Sequence, residues 1–395
     1  MEPIRVLHEN VVMDMGGIEN LLMNIYRNID REKVQFDFMV HRDKDAYFDD
    51  EIRNLGGRIY KCSPFNPFKH FKYMSDINKV LKEHSEYNII HAHSELNMWP
   101  LKVAKKYNIP IRISHSHSTR EIKDLKWLFM EHEKIFLKQQ CTDLFACSID
   151  AARWLYGEKA VKQNKIKYIK NGIKVDDFEF HIDIRNRIRK ELNLENNFVI
   201  GHVGRFMKEK NHKFMLDILK EIKKIKSNSV LIFVGDGELE DEIKNKARKM
   251  GITNEVRFLG VRSDVKYLMQ AMDIFLFPSF YEGLGIVLIE AQALGLESVV
   301  SENIPDEAFI TDLVHKVSLE KDASYWAKKI IDIYNNKKNR KGRQKDIVKA
   351  GYDIVNTTKF LEEFYLDSEE KARFYRRYIW RHLLYLHLLI IEGIF

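Results

Sequence analysis

The chain has 395 residues, 45% hydrophobic and 31% charged, with a net charge of +7. That balance excludes a largely disordered polymer, and the length predicts two domains of roughly 150–200 residues rather than one core. The basic surplus fits a polyanionic ligand, an anionic membrane face or nucleic acid. No RNA-binding or zinc-finger signature accompanies it, so no nucleic-acid partner is expected. The three cysteines, Cys62, Cys141 and Cys147, have no paired spacing, which argues against a disulfide framework or a zinc knuckle. The opening MEPIRVLHEN lacks the apolar core of a signal peptide, and no run of about 18 apolar residues reads as a spanning helix. A cytoplasmic protein is the expectation.

Short apolar runs alternate with amphipathic stretches along the whole chain. In the first half, strands are expected at Ile4–His8, Phe36–Val40, Ile89–Ala92, Ile111–Ser114, Leu144–Cys147 and Ile166–Ile169. In the second half they are expected at Phe198–Val203, Val230–Val234, Val256–Leu259, Ile274–Phe277 and Ser298–Val300. Between them, in 211–226, Met215, Ile218, Leu219, Ile222 and Ile225 recur at helical spacing, with lysines on the other face. Strands that are apolar throughout, separated by helices, predict an α/β fold with parallel sheets covered on both faces. The rhythm occurs twice, so two doubly wound, Rossmann-like domains are expected at 1–176 and 177–350, facing each other across a cleft. A helix from about 351–395 would pack back on the first. Residues just after strands are then the ones to search for chemistry.

Taken in chain order, the first such segment is MDMGGIENLLMN, residues 13–24, where Gly16 and Gly17 bare the start of a helix to an anion; a plain glycine loop is the competing reading. After the second strand, Asp43-Lys44-Asp45 could hold a divalent cation, although a solvated loop explains it better. His91 and His93 in HAHSE and His115 and His117 in SHSHS stand where strands meet loops. Alternate residues share a face of extended chain, so the four imidazoles can cluster. Without flanking carboxylates or cysteines they read as a polar lining and not as a metal site. In GHVGRFMKEKNH, residues 201–212, Arg205 and Lys210 follow one strand and can grip a diphosphate, Arg through its planar fork and Lys as a point charge. In PSFYEGLGIVLIEAQALG, residues 278–295, a buried strand ends in a tight loop carrying Glu282, Gly283 and Gly285. Glu290 follows about one turn into the next helix. Any one of these charged residues, taken alone, reads as a solvated side chain; their combination does not.

Together these segments resemble glycosyltransferase family 4, with the GT-B fold, in the branch that builds bacterial capsule and exopolysaccharide units. The resemblance runs to about residue 310 and is carried by GGIENLLMNIYRNIDREKVQFDF, IIHAH, IPIRISHSHS, YIKNGI, HVGRFMKEKNH, LIFVGDGEL, VRFLGVRSDV and FPSFYEGLGIVLIEAQALGL. Its most specific element is Glu282-x7-Glu290 preceded by Arg205-x4-Lys210. The resemblance implies that Arg205 and Lys210 bind the donor diphosphate and that Glu290 holds the ribose hydroxyls. Glu282, with backbone N–H groups from Gly283 through Leu284 and Gly285 to Ile286, would meet the transferred sugar and phosphate. Gly16 and Gly17 would lie under the diphosphate, and Gly260, Val261 and Arg262 near the base. His117 would stand at the reacting sugar carbon, with His115 as its rival because SHSHS aligns either way. It further implies a retaining, metal-independent transfer, without a cofactor, from a nucleotide-sugar donor (a UDP-sugar) to a saccharide or lipid-linked saccharide acceptor. Two features depart from the family pattern. Glu297 follows Leu296 where proline is common, and the tail KARFYRRYIWRHLLYLHLLIIEGIF, 371–395, matches no family pattern. That tail would form either a packed helix or an interfacial helix on an anionic inner membrane face.

Three rival readings keep part of this pattern. A sugar-nucleotide epimerase or a phosphorylase would share the fold. A nicotinamide dehydrogenase would use VGDGELE, but Glu240 stands where its third glycine belongs. A non-catalytic sugar-nucleotide binding protein would have no need of Arg205, Lys210, Glu282 and Glu290 together.

Overall fold

A computed structural model describes residues 2–65, 70–117, 126–336 and 339–391, with side chains for all of these except 126–130, 132 and 375–391. The described residues fall into two compact units. One runs from the N-terminus to Gly172 and is rejoined by the chain from Ile354; the other is Ile173–Asp353.

The first unit is built on seven parallel strands: β1 (Ile4–Asn10), β2 (Val34–Val40), β3 (Ile59–Lys61), β4 (Ile89–Ala92), β5 (Ile111–Ser116), β6 (Asp143–Ala146) and β7 (Ile166–Tyr168). Their order across the sheet is β3-β2-β1-β4-β5-β6-β7. The chain therefore winds outward from β1 in one direction and from β4 in the other. The crevice between those two strands is the topological switch point, where open α/β sheets place ligands. Alternating side chains feed two cores. Val6, Phe36, Phe38, Ile89 and Ile113 pack with Leu21, Tyr26 and Tyr365, whereas Leu7, Met39 and Ile90 pack with Tyr73, Leu101 and Tyr156. The helix Ile354–Ile391 closes the first of these cores through Ile354, Leu361 and Tyr365. Thr357 donates to the Lys170 carbonyl at 3.1 Å, and Asn88 donates to Glu369 at 2.9 Å.

The second unit has six parallel strands: β8 (Phe198–Val203), β9 (Ser229–Val234), β10 (Val256–Phe258), β11 (Ile274–Phe277), β12 (Ser298–Ser301) and β13 (Val314–Val317), ordered β10-β9-β8-β11-β12-β13. Its switch point falls between β8 and β11. At the opposite end of β11, Asp273 is buried and accepts from Arg185 at 2.7 Å, Arg189 at 3.2 Å and the Val199 N–H at 2.9 Å. Arg340 lies in the same cluster and donates to the carbonyls of Leu294, Gln270 and Met272 at 2.8, 3.2 and 3.0 Å. Burial lowers its pKa to about 9.

The strands expected from the sequence are found within one or two residues. The sequence reading missed β3 and β13. Both are edge strands, short and only partly covered. Ile59-Tyr60-Lys61 and Val314-His315-Lys316-Val317 therefore carry no continuous apolar run.

Candidate active site

At the carboxyl end of the second sheet, the loops after β8, β9, β10 and β11 are tied to one another. Gly204 N–H donates to the Val234 carbonyl at 2.9 Å, Phe206 N–H to Asp236 at 2.6 Å and Gly235 N–H to Gly260 at 2.8 Å. Phe280 N–H donates to the Glu209 carbonyl at 2.8 Å, and Asn211 Nδ2 to that of Pro278 at 3.1 Å. Gly235 and Gly237 explain the VGDG run. At φ +134° and +150°, a Cβ on them would come within 2.3 Å of the Gly204 carbonyl oxygen and 2.6 Å of Phe206 N. Only glycine fits. These residues serve loop-on-loop packing beneath Arg205, which leaves the dehydrogenase reading without its glycines.

The ring of loops brings Lys210 and Glu282 together across the β8/β11 switch point. Lys210 Nζ donates to both carboxylate oxygens of Glu282, at 2.6 and 2.7 Å, and stands 5.3 Å from the centre of the Phe277 ring. The family resemblance implies separate roles for these residues, Lys210 on the diphosphate and Glu282 on the transferred sugar and phosphate. Here they form one ion pair, with Glu282 nearly buried and Lys210 half-buried. Arg205, two residues beyond β8, is exposed, and its guanidinium has no partner among the described residues. An anion arriving here meets one free cation and one that a carboxylate already holds in place.

Glu290 is the fifth residue of the helix Ile286–Ala293. The residue is only partly covered, yet its carboxyl lies deep enough that desolvation raises its pKa to about 7, and it accepts no hydrogen bond among the described residues. Gly285 caps that helix at φ +78°, a left-handed conformation suited to glycine, and no side chain caps the first N–H groups. Gly283 is half-buried and Leu284 buried, with Ile286 packed partly against the core. Gly260 has φ +66°, Val261 is exposed, and Arg262 is paired with Asp264 at 2.7 Å. A carboxyl whose pKa is higher folded than unfolded favours folding only while protonated, so its charging costs stability as pH rises from about 4.5 to 7. Glu290→Gln is therefore expected to raise stability at pH 8 by about 3 kcal/mol, with the gain vanishing below about pH 4.5. Thermal melts of both proteins across that range check this, and a pH-independent gain would refute it.

Two further histidines escaped the sequence reading. His202 and His212 flank the Arg205 loop, are buried, and lie with ring centres 4.8 Å apart. His202 donates to the Leu276 carbonyl at 3.0 Å, while its Nε2 and both nitrogens of His212 have no partner among the described residues. Burial holds both neutral, His212 with a pKa of about 3. The signal available was their place at each end of GHVGRFMKEKNH.

In the first unit, Gly16 caps the helix Gly17–Asn28 without a side-chain bond. A Cβ at Gly17 would meet open space, whereas one at Gly16 would lie 2.2 Å from Glu19 Oε2. The start of this helix thus already faces a carboxylate, also held by Asn10 at 3.3 Å. Asp43 is exposed and Asp45 pairs with Lys61 at 2.6 Å, a solvated loop. His91, His93, His115 and His117 do cluster, and His8 of β1 joins them in register with His91. His8 Nδ1 lies 3.0 Å from His93 Nε2, His93 Nδ1 2.8 Å from His117 Nε2, and His91 Nε2 3.2 Å from His115 Nδ1. The triads His8/His91/His93 and His93/His115/His117 keep their nitrogens within 4.8 Å. Burial keeps all five rings neutral, His8 and His117 with pKa values of about 3. His8 was missed because it belongs to no paired motif.

Comparison with known proteins decides the family. The profile of Glycosyltransferase Family 4 matches residues 15–177 and that of Glycosyl transferases group 1 matches residues 184–353. The EpsF protein of Bacillus subtilis (strain 168), named as a glycosyltransferase, is 31% identical over 374 residues, covering 93% of this chain and 97% of its own. The chain belongs to glycosyltransferase family 4. Relatives of this transferase include a UDP-Gal:alpha-D-GlcNAc-diphosphoundecaprenol alpha-1,3-galactosyltransferase of Escherichia coli, 25% identical over 310 residues, 75% of this chain and 79% of that one. Others are named for capsular polysaccharide biosynthesis. Among solved structures, Anabaena HepE in complex with UDP superposes with a TM-score of 0.74 at 19% identity, over 92% of the transferase and 100% of HepE. The two units have the GT-B fold. Among the described residues of the transferase, no helix is long and apolar enough to cross a membrane.

Proposed function

We propose that the transferase moves a sugar from a nucleoside diphosphate sugar, UDP-linked, to a saccharide acceptor, free or lipid-linked, with retention at the anomeric carbon and without a metal. The observation that carries this reading is the Lys210–Glu282 pair at the β8/β11 switch point, with Arg205, unpartnered among the described residues, on the same loop. The UDP complex of HepE and the UDP-sugar and diphospholipid in the name of the Escherichia coli relative support the donor and acceptor classes.

The chemistry follows from charge. As the sugar–phosphate bond breaks, negative charge grows on the departing diphosphate. Arg205 and Lys210 stabilise that charge, joined by the uncapped N–H groups of the helix that begins at Ile286. Glu282 holds the Lys210 ammonium in place before the donor arrives and then turns to the sugar. Glu290 accepts from the ribose hydroxyls. The departing phosphate oxygen takes the acceptor's proton on the face it leaves, which preserves configuration.

A binding screen of nucleotide sugars, followed by turnover with trial acceptors including lipid-linked saccharides, tests the reading. The expected result is acceptor-dependent product and unchanged activity in EDTA. Isomerised sugar without acceptor points to the epimerase, and no nucleotide-sugar binding at all refutes the assignment. Residues 371–395 are proposed to touch an anionic membrane face, given the basic and aromatic residues of KARFYRRYIWRHLLYLHLLIIEGIF. Removing them is expected to abolish sedimentation with anionic liposomes while preserving turnover on a soluble acceptor; equal sedimentation of both proteins would refute the contact.

A further inference from the structure

The buried imidazoles of the first unit form two rows whose protons can be counted. A neutral imidazole carries one N–H and one bare lone pair, and every ring-to-ring contact needs one of each. In one row His8, His93 and His117 are joined in series, and the outer nitrogens, His8 Nε2 and His117 Nδ1, have no partner among the described residues. Both directions of proton order leave that row with one unpaired N–H and one unpaired lone pair, so nothing in it selects either.

The second row is different. Tyr365 Oη lies 2.7 Å from His91 Nδ1, His91 Nε2 lies 3.2 Å from His115 Nδ1, and His115 Nε2 has no partner among the described residues. Tyr365 comes from the helix Ile354–Ile391, 274 positions away in sequence, and is fully buried. Its phenol keeps its proton, because burial raises its pKa far above the ordinary value. Among the described residues His91 Nδ1 is its only acceptor. If the phenol donates, His91 must carry its own proton on Nε2 and give it to His115 Nδ1, and His115 must then carry its proton on Nε2. Each order leaves one buried donor without an acceptor among the described residues, His115 Nε2–H in the first and the phenolic O–H in the opposite one. The choice therefore falls to the Tyr365–His91 contact: a phenol is the stronger donor and an imidazole lone pair the stronger acceptor, so O–H···N outweighs N–H···O and favours the first order on the order of tenfold.

We propose that Tyr365 is a positioning residue that fixes the tautomer of His91 and, through it, presents His115 Nε2–H as a hydrogen-bond donor near the carboxyl end of β5. Its catalytic consequence rests on the transferase reading above, in which His115 or His117 meets the reacting sugar. An N–H there stabilises an oxygen gaining negative charge; a bare lone pair repels it. The second row thus separates the two rivals physically, because His115 alone is held in one donor state.

Nitrogen-15 spectra of the full chain labelled at histidine, assigned through single replacements, test this directly. In the wild type, His91 and His115 are both expected as Nε2–H tautomers. Tyr365→Phe keeps the ring and removes only the hydroxyl. It is expected to bring up the second His115 tautomer at comparable population, to lower kcat at least about twofold as the donating form is halved, and to leave the donor KM unchanged. A wild-type proton on His115 Nδ1, or an unchanged tautomer pattern in Tyr365→Phe, overturns the proposal. Should the variant not fold, the wild-type spectrum decides alone. The spectra need neither donor nor acceptor, so failure of the transferase reading would show separately, as an inactive wild type whose tautomers are as stated.

Discussion

Replacing Arg205 with Ala is expected to lower kcat/KM for sugar transfer by about 10²–10³-fold while leaving the melting temperature within about 1 °C. The two halves of this expectation have different origins. The guanidinium is exposed and partnerless among the described residues, so the folded chain loses no contact with it. Its interaction exists only with the donor, where charge develops. Lys210→Met is expected to cost as much activity, with a different stability signature. Its ammonium neutralises Glu282, whose side chain is only 9% exposed. Removing it strands a carboxylate and costs about 1–3 kcal/mol, several degrees in Tm for a unit of this size. The double replacement Lys210→Met with Glu282→Gln should recover that stability without recovering turnover. Unchanged turnover in both single variants would remove the phosphate site from these residues. An unshifted Tm in Lys210→Met would show that the pair contributes nothing to the resting fold.

Asp273→Asn is expected to be the most destabilising single conservative change in the second unit, by about 3–5 kcal/mol, or about 10 °C in Tm. The carboxylate is the anion facing a cluster of three arginines. Arg185 and Arg189 donate to it at 2.7 and 3.2 Å, and among the described residues Arg340 has only carbonyls as direct acceptors. An amide of the same shape keeps the volume and one acceptor but leaves those cations without a counter-charge. Because Asp273 precedes β11 and also accepts the Val199 N–H, the damage should spread to the two strands that carry Lys210 and Glu282 on their loops. Chemical denaturation with fluorescence measures the loss, and a change under about 1 kcal/mol would show that the cluster is not held by this charge.

Most of the fold was legible because the strands announce themselves. Phe198–Val203 and Ile274–Phe277 are apolar on both faces, the mark of a strand covered by helices. Edge strands such as β13 have one covered side at most and so lose that mark. The chemistry-bearing residues were legible as types after strands, and Arg205, Lys210, Glu282 and Glu290 all lie in the second unit around one switch point. Their pairing was not legible. Nothing in the spacing says that Lys210 reaches Glu282, 72 positions away, because that depends on where β11 enters beside β8. The same limit hid His8 and Tyr365, which enter the histidine rows only through strand order and the return of the last helix. Gly235 and Gly237 carried a misleading signal. Their glycine demand is real, but it comes from another loop's backbone and not from a cofactor.

The return of the chain at Ile354 has a consequence for biosynthesis. The first unit cannot complete its core at the ribosome until the intervening Ile173–Asp353 has been made and the segment bearing Leu361 and Tyr365 has emerged. At about 5–20 residues per second, that leaves a half-built nucleotide fold waiting for roughly 10–40 s, with an apolar face exposed to chaperones. Chimaeras that exchange the first unit between relatives will need to carry the last helix with it, as two cut points rather than one.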